Sequence, residues 1–445
     1  MAAQTYVTTS RLNDTGEIHH LQTHNYPETI SSVIGEPAES CSQTHVTSWD
    51  EGDVSLGFDN QPPFPDDVAV APLLRIDLHK LLIGEQNEID RLWKACCDLG
   101  FFYLDIRAKH DEDTQDTGCS RSEEDFEHTC TKEQSTTSDD EKAKPDLMRM
   151  LDGNQLLMDA DNLFDAGKQV FSLPLEEKVK YDFKDQGSYF GYKGYGEGII
   201  DSKGTTDRNE FYNVSKDDIL GISERLPAPS VLEPCRSVLR SFICRSHSIV
   251  ELILTLLNQK LELATGQLPS LHRLHVASGD QVRWVHAPPQ PQDDRRTALG
   301  EHTDFGSISI LFNRLGGLQV LPPHSNDWSY VKPLGGHVVI NLGDAMVKFT
   351  AGVLHSNLHR VINPPGEQAS HTRMSLVYFA RPEDDVLLRV LEGSDIIDAR
   401  RDENDAFGAD QNITSKEWIR RRALGRRQGG NWQKSGGTEG GHHGR

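Results

Sequence analysis

Apolar and polar positions along the chain divide it into a helical first half and a β-rich second half. From Glu85 to Leu99, the residues Ile89, Leu92, Trp93, Cys96 and Leu99 share one helical face, and Gly100 is a natural stop. Ala71 to Asp77 and Phe101 to Asp105 predict strands on either side of that helix. The helical period returns from Asn154 to Phe171 through Leu157, Leu163, Phe164 and Val170. A longer helical pattern runs from Val231 to Leu263, closed by Gly266, while Gly187 to Gly198 predicts a loop. After Leu271 the texture changes. Val282 to His286, Ser307 to Phe312, Leu318 to Leu321, Trp328 to Val331, His337 to Asn341, His359 to Ile362 and Met374 to Ala380 are short alternating or apolar runs. Pro and Gly turns separate them, as in a β-sandwich, jelly roll or barrel. A last helix is predicted around Trp418 to Leu424.

Three stretches lack any such period. Residues 1–68 are rich in Thr, Ser, His, Asp and Glu and read as a disordered N-terminal arm. Residues from about 107 to 150 are acidic and poor in large apolar side chains, and read as a disordered insertion in a folded region. The end of the chain is Gly-rich and basic at Arg420, Arg421, Arg422, Arg426 and Arg427, which predicts a solvated terminal helix and tail.

Composition narrows the function classes. The 46 basic and 68 acidic residues give a net charge of −22, which repels nucleic-acid backbones and anionic membranes. Seven Cys, none in a C-x-x-C pair, predict a reduced, cytoplasmic protein. The first residues hold no apolar signal segment, and the most apolar stretch, Ser248 to Leu257, is too short to span a bilayer.

The chemistry centres on Glu301-His-Thr-Asp304. A His and an Asp two apart on an extended chain project to one side and can take adjacent positions on one metal. Alone the pair is weak, since about one H-x-D is expected by chance in such a chain. Downstream, His359 lies in a predicted strand. A third ligand there completes two His and one carboxylate, a facial set that leaves open positions on a non-haem Fe(II). Arg373 and Ser375, again two apart in an apolar run, suit one end of a dicarboxylate.

These segments resemble the isopenicillin N synthase-like iron and 2-oxoglutarate-dependent oxygenases, with a fungal cast, over most of Ala71 to Pro382. The likeness rests on Pro72-Leu-Leu-Arg-Ile-Asp77, Ala95-Cys-Cys-Asp-Leu-Gly-Phe-Phe-Tyr103 and Phe171-Ser-Leu-Pro-Leu-Glu-Glu-Lys178. Further on it rests on Arg283 with Pro288-Pro289, His302-Thr-Asp304, Gly316-Gly-Leu-Gln-Val320, Asn341-Leu-Gly-Asp344, His359-Arg-Val361 and Arg373-Met-Ser375, in the family's order. The resemblance implies a mainly β fold with α: a distorted double-stranded β-helix (jelly roll) core with a helical N-terminal portion. It divides the chain into the arm at 1–68, an N-terminal dioxygenase region at 69–228, the jelly-roll oxygenase domain with its supporting helix at 229–382 and a C-terminal extension and tail at 383–445.

Carried over residue by residue, the resemblance makes His302, Asp304 and His359 the iron ligands and Arg373 and Ser375 the receivers of the co-substrate carboxylate. Fe(II), 2-oxoglutarate and O2 are the implied cofactor and co-substrates, with ascorbate as an optional addition. The implied reaction couples oxidative decarboxylation of 2-oxoglutarate to hydrogen abstraction from a small organic substrate, by hydroxylation or desaturation, in specialised metabolism. Two departures touch the co-substrate pocket. Val285-His-Ala287 stands where many relatives carry Asn-x-Tyr, so the usual tyrosine contact must come from elsewhere, with His286 a candidate. Thr350-Ala-Gly352 replaces the Ser/Thr-Asn-Gly of many plant members.

Three other readings stay open: an Fe(II) oxidase of the same fold without 2-oxoglutarate, a non-catalytic ligand-binding protein on this scaffold, and a zinc hydrolase using the same ligand types. Tyr and Phe near Tyr189 to Gly198 and Asn209 to Tyr212 favour an apolar small molecule as partner. A monomer without nucleic-acid or membrane partners is expected.

Overall fold

The computed structural model describes residues 61–107, 151–290, 297–323, 325–403 and 413–427. The arm up to residue 60, the acidic insertion at 108–150 and the tail beyond 427 lie outside the described residues.

Strand Arg373–Ala380 shows how the sequence builds the fold. Its alternate residues Met374, Leu376, Tyr378 and Ala380 point to one face, and Arg373, Ser375, Val377 and Phe379 to the other. The same alternation runs through the strands beside it. In chain order the strands are β1 (Arg75–Asp77), β2 (Phe101–Asp105), β3 (Gly191–Lys193), β4 (Glu210–Ser215), β5 (Gln281–Ala287), β6 (Leu299–His302), β7 (Ile308–Asn313), β8 (Leu318–Val320), β9 (Ser329–Tyr330), β10 (His337–Leu342), β11 (His359–Val361) and β12 (Arg373–Ala380). Eight of them form a main sheet in the order β1-β2-β10-β7-β12-β5-β4-β3, and four a minor sheet in the order β6-β11-β8-β9. The pairs are antiparallel except β1 with β2. Two such sheets make the expected jelly roll, and strands from either side of residue 228 share the larger one.

The helices are α1 (Leu78–Leu82), α2 (Gln86–Asp98), α3 (Gly153–Ser172), α4 (Leu175–Lys178), α5 (Lys216–Leu220), α6 (Arg236–Lys260), α7 (Asp344–Phe349), α8 (Asp395–Glu403) and α9 (Ser415–Gly425). The main sheet turns its apolar face outward to α3 and α6. Trp284, Ile310, Ile340, Leu376 and Tyr378 are fully buried there. The Trp284 indole donates to the Leu163 carbonyl of α3 at 2.6 Å, and Phe312 meets Phe242 of α6 at 5.3 Å. Each such buried side chain contributes about 1.5–3 kcal/mol. The inner face is left to polar groups: Ser309, Asn341, Arg283, Arg373 and Ser375. No described helix is long and apolar enough to cross a membrane.

Several elements differ from expectation. The long helix starts at Arg236 rather than Val231, because Pro234 cannot donate an N–H and holds Ser230–Cys235 in a 3-10 turn. The Gly187 to Gly198 loop contains β3, and β4 was not foreseen. Their apolar residues are few and framed by Gly and Asp, but pairing to β5 fixes them. The N-terminal arm gives way to packed chain before residue 68: Phe64 lies 6.1 Å from the Tyr330 ring, and Gln368 donates to the Pro62 carbonyl. Cys96, Cys97 and Cys235 are free.

Two glycines are fixed by close approach. Gly100, at φ +69°, ends α2 where an added Cβ would lie 2.1 Å from the His355 carbonyl oxygen. At Gly153 an added Cβ would lie 1.7 Å from the Ile106 oxygen, so the two ends of the acidic insertion meet.

Candidate metal centre

β6 and β11 pair in register at His302 and His359, which brings the two rings to 4.2 Å between centroids. Asp304 follows two residues after His302. Its Oδ1 lies 3.9 Å from His302 Nε2 and 3.8 Å from His359 Nε2. One donor atom from each of the three residues falls within 4.8 Å of the others, and all three residues are largely buried.

Each donor is oriented by a neighbour. His302 Nδ1 lies 2.8 Å from the Gly300 carbonyl, and His359 Nδ1 lies 3.1 Å from the Asn357 carbonyl. Those bonds place the ring protons on Nδ1 and leave the Nε2 lone pairs facing the shared point. Asp304 Oδ2 accepts from Ser309 Oγ at 2.6 Å and Asn341 Nδ2 at 2.7 Å, which leaves Oδ1 turned to the imidazoles. Burial would raise the Asp304 carboxyl, but His359, His302 and these two hydrogen bonds hold it below its usual range. Burial, with His359 beside it, pushes the His302 imidazolium well down, so both donors are in their metal-binding forms. The donor set, two imidazole nitrogens and one carboxylate, fits a divalent iron.

Arg373 and Ser375 lie buried on the inner face of β12. Arg373 Nε donates to the Gly316 carbonyl at 2.8 Å, and its Nη1 lies 3.2 Å from Ser375 Oγ. No carboxylate lies within ion-pair distance of it among the described residues. Burial pushes its guanidinium down to about 10. A buried fork of this kind, with a hydroxyl beside it, suits an incoming carboxylate.

His286 does not take the place of the missing tyrosine. β5 alternates, so His286 points to the outer face with Trp284, away from Arg283 and Val285. It stacks on Phe171 at 4.9 Å and lies 3.1 Å from Glu210. Burial opposes that carboxylate, but His286, Lys178 and Tyr192 together bring it down to about 2. His355 also points away, with Nδ1 at 3.0 Å from the Asp98 carbonyl. A cleft bounded by Phe183, Tyr212, Leu232 and Leu239 shares no residue with the triad.

The terminal helix is where sequence reading missed a contributor. Arg422 is fully buried rather than solvated. Along α9 and just past it, Trp418, Arg422 and Arg426 donate to the carbonyls of Phe305, Thr303 and Glu301 at 3.0, 3.2 and 3.5 Å. Steps of four on a helix rise about 6 Å, close to the step of two residues on an extended strand. One helix stripe thus holds alternate carbonyls of the segment from the end of β6 to Phe305, which carries His302 and Asp304. Arg422 also pairs with Asp344 at 3.2 Å, and Asp344 N–H donates to the Asp304 carbonyl at 2.9 Å. The available signal was Thr414-Ser-Lys-Glu417, a capping box that starts α9.

Comparison with known proteins bears on this geometry. The family model of the 2OG-Fe(II) oxygenase superfamily matches residues 278–382, and that of the non-haem dioxygenase in morphine synthesis N-terminal region matches residues 157–229. A 2-oxoglutarate-dependent dioxygenase of Aspergillus fumigatus is 28% identical over 357 residues, covering 75% of this chain and 81% of the relative. One of Amanita muscaria is 34% identical over 164 residues, covering 36% of this chain and 78% of the relative. The crystal structure of a full-length Neurospora crassa protein in complex with alpha-KG superposes with a TM-score of 0.56 at 20% identity, covering 81% of this chain and 97% of that one.

Proposed function

Because this chain belongs to the 2OG-Fe(II) oxygenase superfamily, whose members use Fe(II), 2-oxoglutarate and O2, we propose that His302, Asp304 and His359 are its iron ligands and that Arg373 and Ser375 receive the distal carboxylate of 2-oxoglutarate. The observation that carries the assignment is the convergence of three donor atoms within 4.8 Å, each with its other polar atom tied to a neighbour. When bound, ferrous iron supplies the oxidising chemistry, in which 2-oxoglutarate is decarboxylated to succinate while O2 oxidises the substrate.

The protein residues do the rest. The two Nδ1–H bonds aim the imidazoles, turning each Nε2 to the shared point. Ser309 and Asn341 keep one carboxylate oxygen of Asp304 occupied, so the other is the donor. Arg373 and Ser375 orient the co-substrate by its distal carboxylate. Val285, Val377 and Phe379 on the same face restrict water around the reacting groups. Hydroxylation of a small organic molecule is the default outcome, with desaturation open to the same site. Similarity to fungal dioxygenases supports a role in specialised metabolism. The regions 69–228 and 229–382 act as one oxygenase unit, working as a monomer. Three free thiols support a reducing compartment such as the cytoplasm.

Anaerobic Fe(II) titration and iron-dependent succinate release test the assignment. His302→Ala, Asp304→Ala and His359→Ala should each lose both, since an open site on three ligands cannot spare one. His355→Ala should keep both. Normal succinate release by the Asp304→Ala protein would overturn the ligand assignment.

A further inference from the structure

Arg283 is a second cation on the inner face of the main sheet, and the roles assigned above leave it without a task. Its Nε donates to Asn213 Oδ1 at 2.7 Å. Its guanidinium lies 4.3 Å from the Phe211 ring and 5.0 Å from the Phe379 ring. Among the described residues no acid comes within ion-pair distance of it. Its two terminal nitrogens have no hydrogen-bond partner in the protein, yet they are not sealed from solvent, and the residue stays part-exposed. Burial, reinforced by Arg381 and opposed by Asp304, brings the guanidinium down to about 9. A cation held at that cost gains from an incoming anion.

The register places Arg283 beside the chemistry. It pairs with Val377, between Ser375 and Phe379 on the same face. Phe379 in turn faces Ser309, whose hydroxyl holds Asp304. With Arg381 also near and no acid in ion-pair distance, the charge beside Arg283 calls for an anionic partner.

We propose that Arg283 anchors the substrate, and that the substrate is an apolar organic acid whose carboxylate takes the open edge of the Arg283 fork while its body lies against Phe211 and Phe379. Two parallel N–H donors match a carboxylate, and the aromatic rings favour a flat apolar body over a hydrated one. The proposal rests on the metal-centre reading and narrows its substrate class.

The test uses the full chain loaded with Fe(II) under anaerobic conditions and saturated with 2-oxoglutarate, so that Arg373 is occupied. Benzoate, phenylacetate and cinnamate are each titrated by calorimetry against the corresponding primary amide, with inorganic phosphate as a further probe. At least one acid should bind about tenfold or more tighter than its amide, as expected for a charge-assisted pair. Arg283→Gln should bring acid and amide to parity, and Arg283→Lys should leave a smaller preference. A wild-type-like melting temperature for the Lys variant excludes unfolding as the cause. The proposal is overturned if acids and amides bind alike, if no acid binds at millimolar concentration, if the preference survives in Arg283→Gln, or if phosphate binds tighter than every acid. Iron-dependent succinate release by the wild type, measured alongside, reports on the metal-centre reading separately.

Discussion

Arg422 donates to the carbonyl of Thr303, the residue between His302 and Asp304, from 119 positions further along the chain. The same guanidinium pairs with Asp344 in a spot where both side chains are fully buried.

Removing that guanidinium should loosen the metal strand. In Arg422→Met, which keeps the helical propensity of α9, Fe(II) affinity should fall about 10- to 100-fold, as for other groups that orient ligands. Stability should drop by about 3–5 kcal/mol, because a fully buried ion pair is broken. Adding Asp344→Asn should recover part of the melting temperature but not the iron affinity. Iron affinity unchanged in the single variant would mean that the strand holds its shape alone.

Arg373→Lys should raise the KM for 2-oxoglutarate about tenfold or more, since an ammonium replaces two parallel bonds by one and a charge-assisted bond contributes about 1.5–3 kcal/mol. The Fe(II) titration should change little. An unchanged KM would move the co-substrate anchor elsewhere and favour an oxidase that does not use 2-oxoglutarate.

His272 should make the fold acid-sensitive. It is buried with Nδ1 at 3.0 Å from the Leu268 carbonyl and Nε2 at 2.6 Å from Ser307 Oγ, so the neutral ring donates to one and accepts from the other. Burial pushes its pKa from 6.5 down to about 4. Between those values the unfolded chain binds the extra proton and the native state does not. Stability from this group is therefore complete above pH 6.5 and falls as pH drops toward 4, by about 3 kcal/mol in all. Urea unfolding between pH 7.5 and 4.5 measures the slope. His272→Gln should flatten it, and parallel slopes for the two proteins would assign the acid sensitivity to other groups.

Replacing Asp111 to Glu141 by a short Gly/Ser link should leave the melting temperature and the iron titration unchanged. The flanks already meet at Ile106 and Gly153, so little loop closure is added. A loss of succinate release with iron still bound would instead give the segment a part in covering the site.

Much of the centre could be read from residue order. His302, Asp304 and His359 stand two apart and on a later strand, and the alternation that aims them is local. Arg373 and Ser375 were legible for the same reason. What escaped depends on long-range pairing. His286 looked available until the β5 register placed it on the outer face with Trp284. Arg422 looked like one of a run of solvated arginines, since a helical charge run is usually a surface feature. Its burial depends on where α9 lands; the capping box at Thr414 to Glu417 marked the helix, and Trp418 four residues before hinted at a packed stripe. β4 was missed because Glu210 and Asn213 interrupt its apolar residues, although each has a buried partner.

The stripe of Trp418, Arg422 and Arg426 also bears on the order in which the protein is made. During synthesis β6 and β11, the two strands at which the proposed ligands sit, leave the ribosome well before α9 does. Until then the carbonyls of Glu301, Thr303 and Phe305 have no partner from that helix. A nascent or prematurely stopped chain ending after β12 would carry all three proposed iron ligands and still lack the helix that holds the carbonyls around two of them. Iron binding by such a shortened chain should therefore be weaker than by the whole chain.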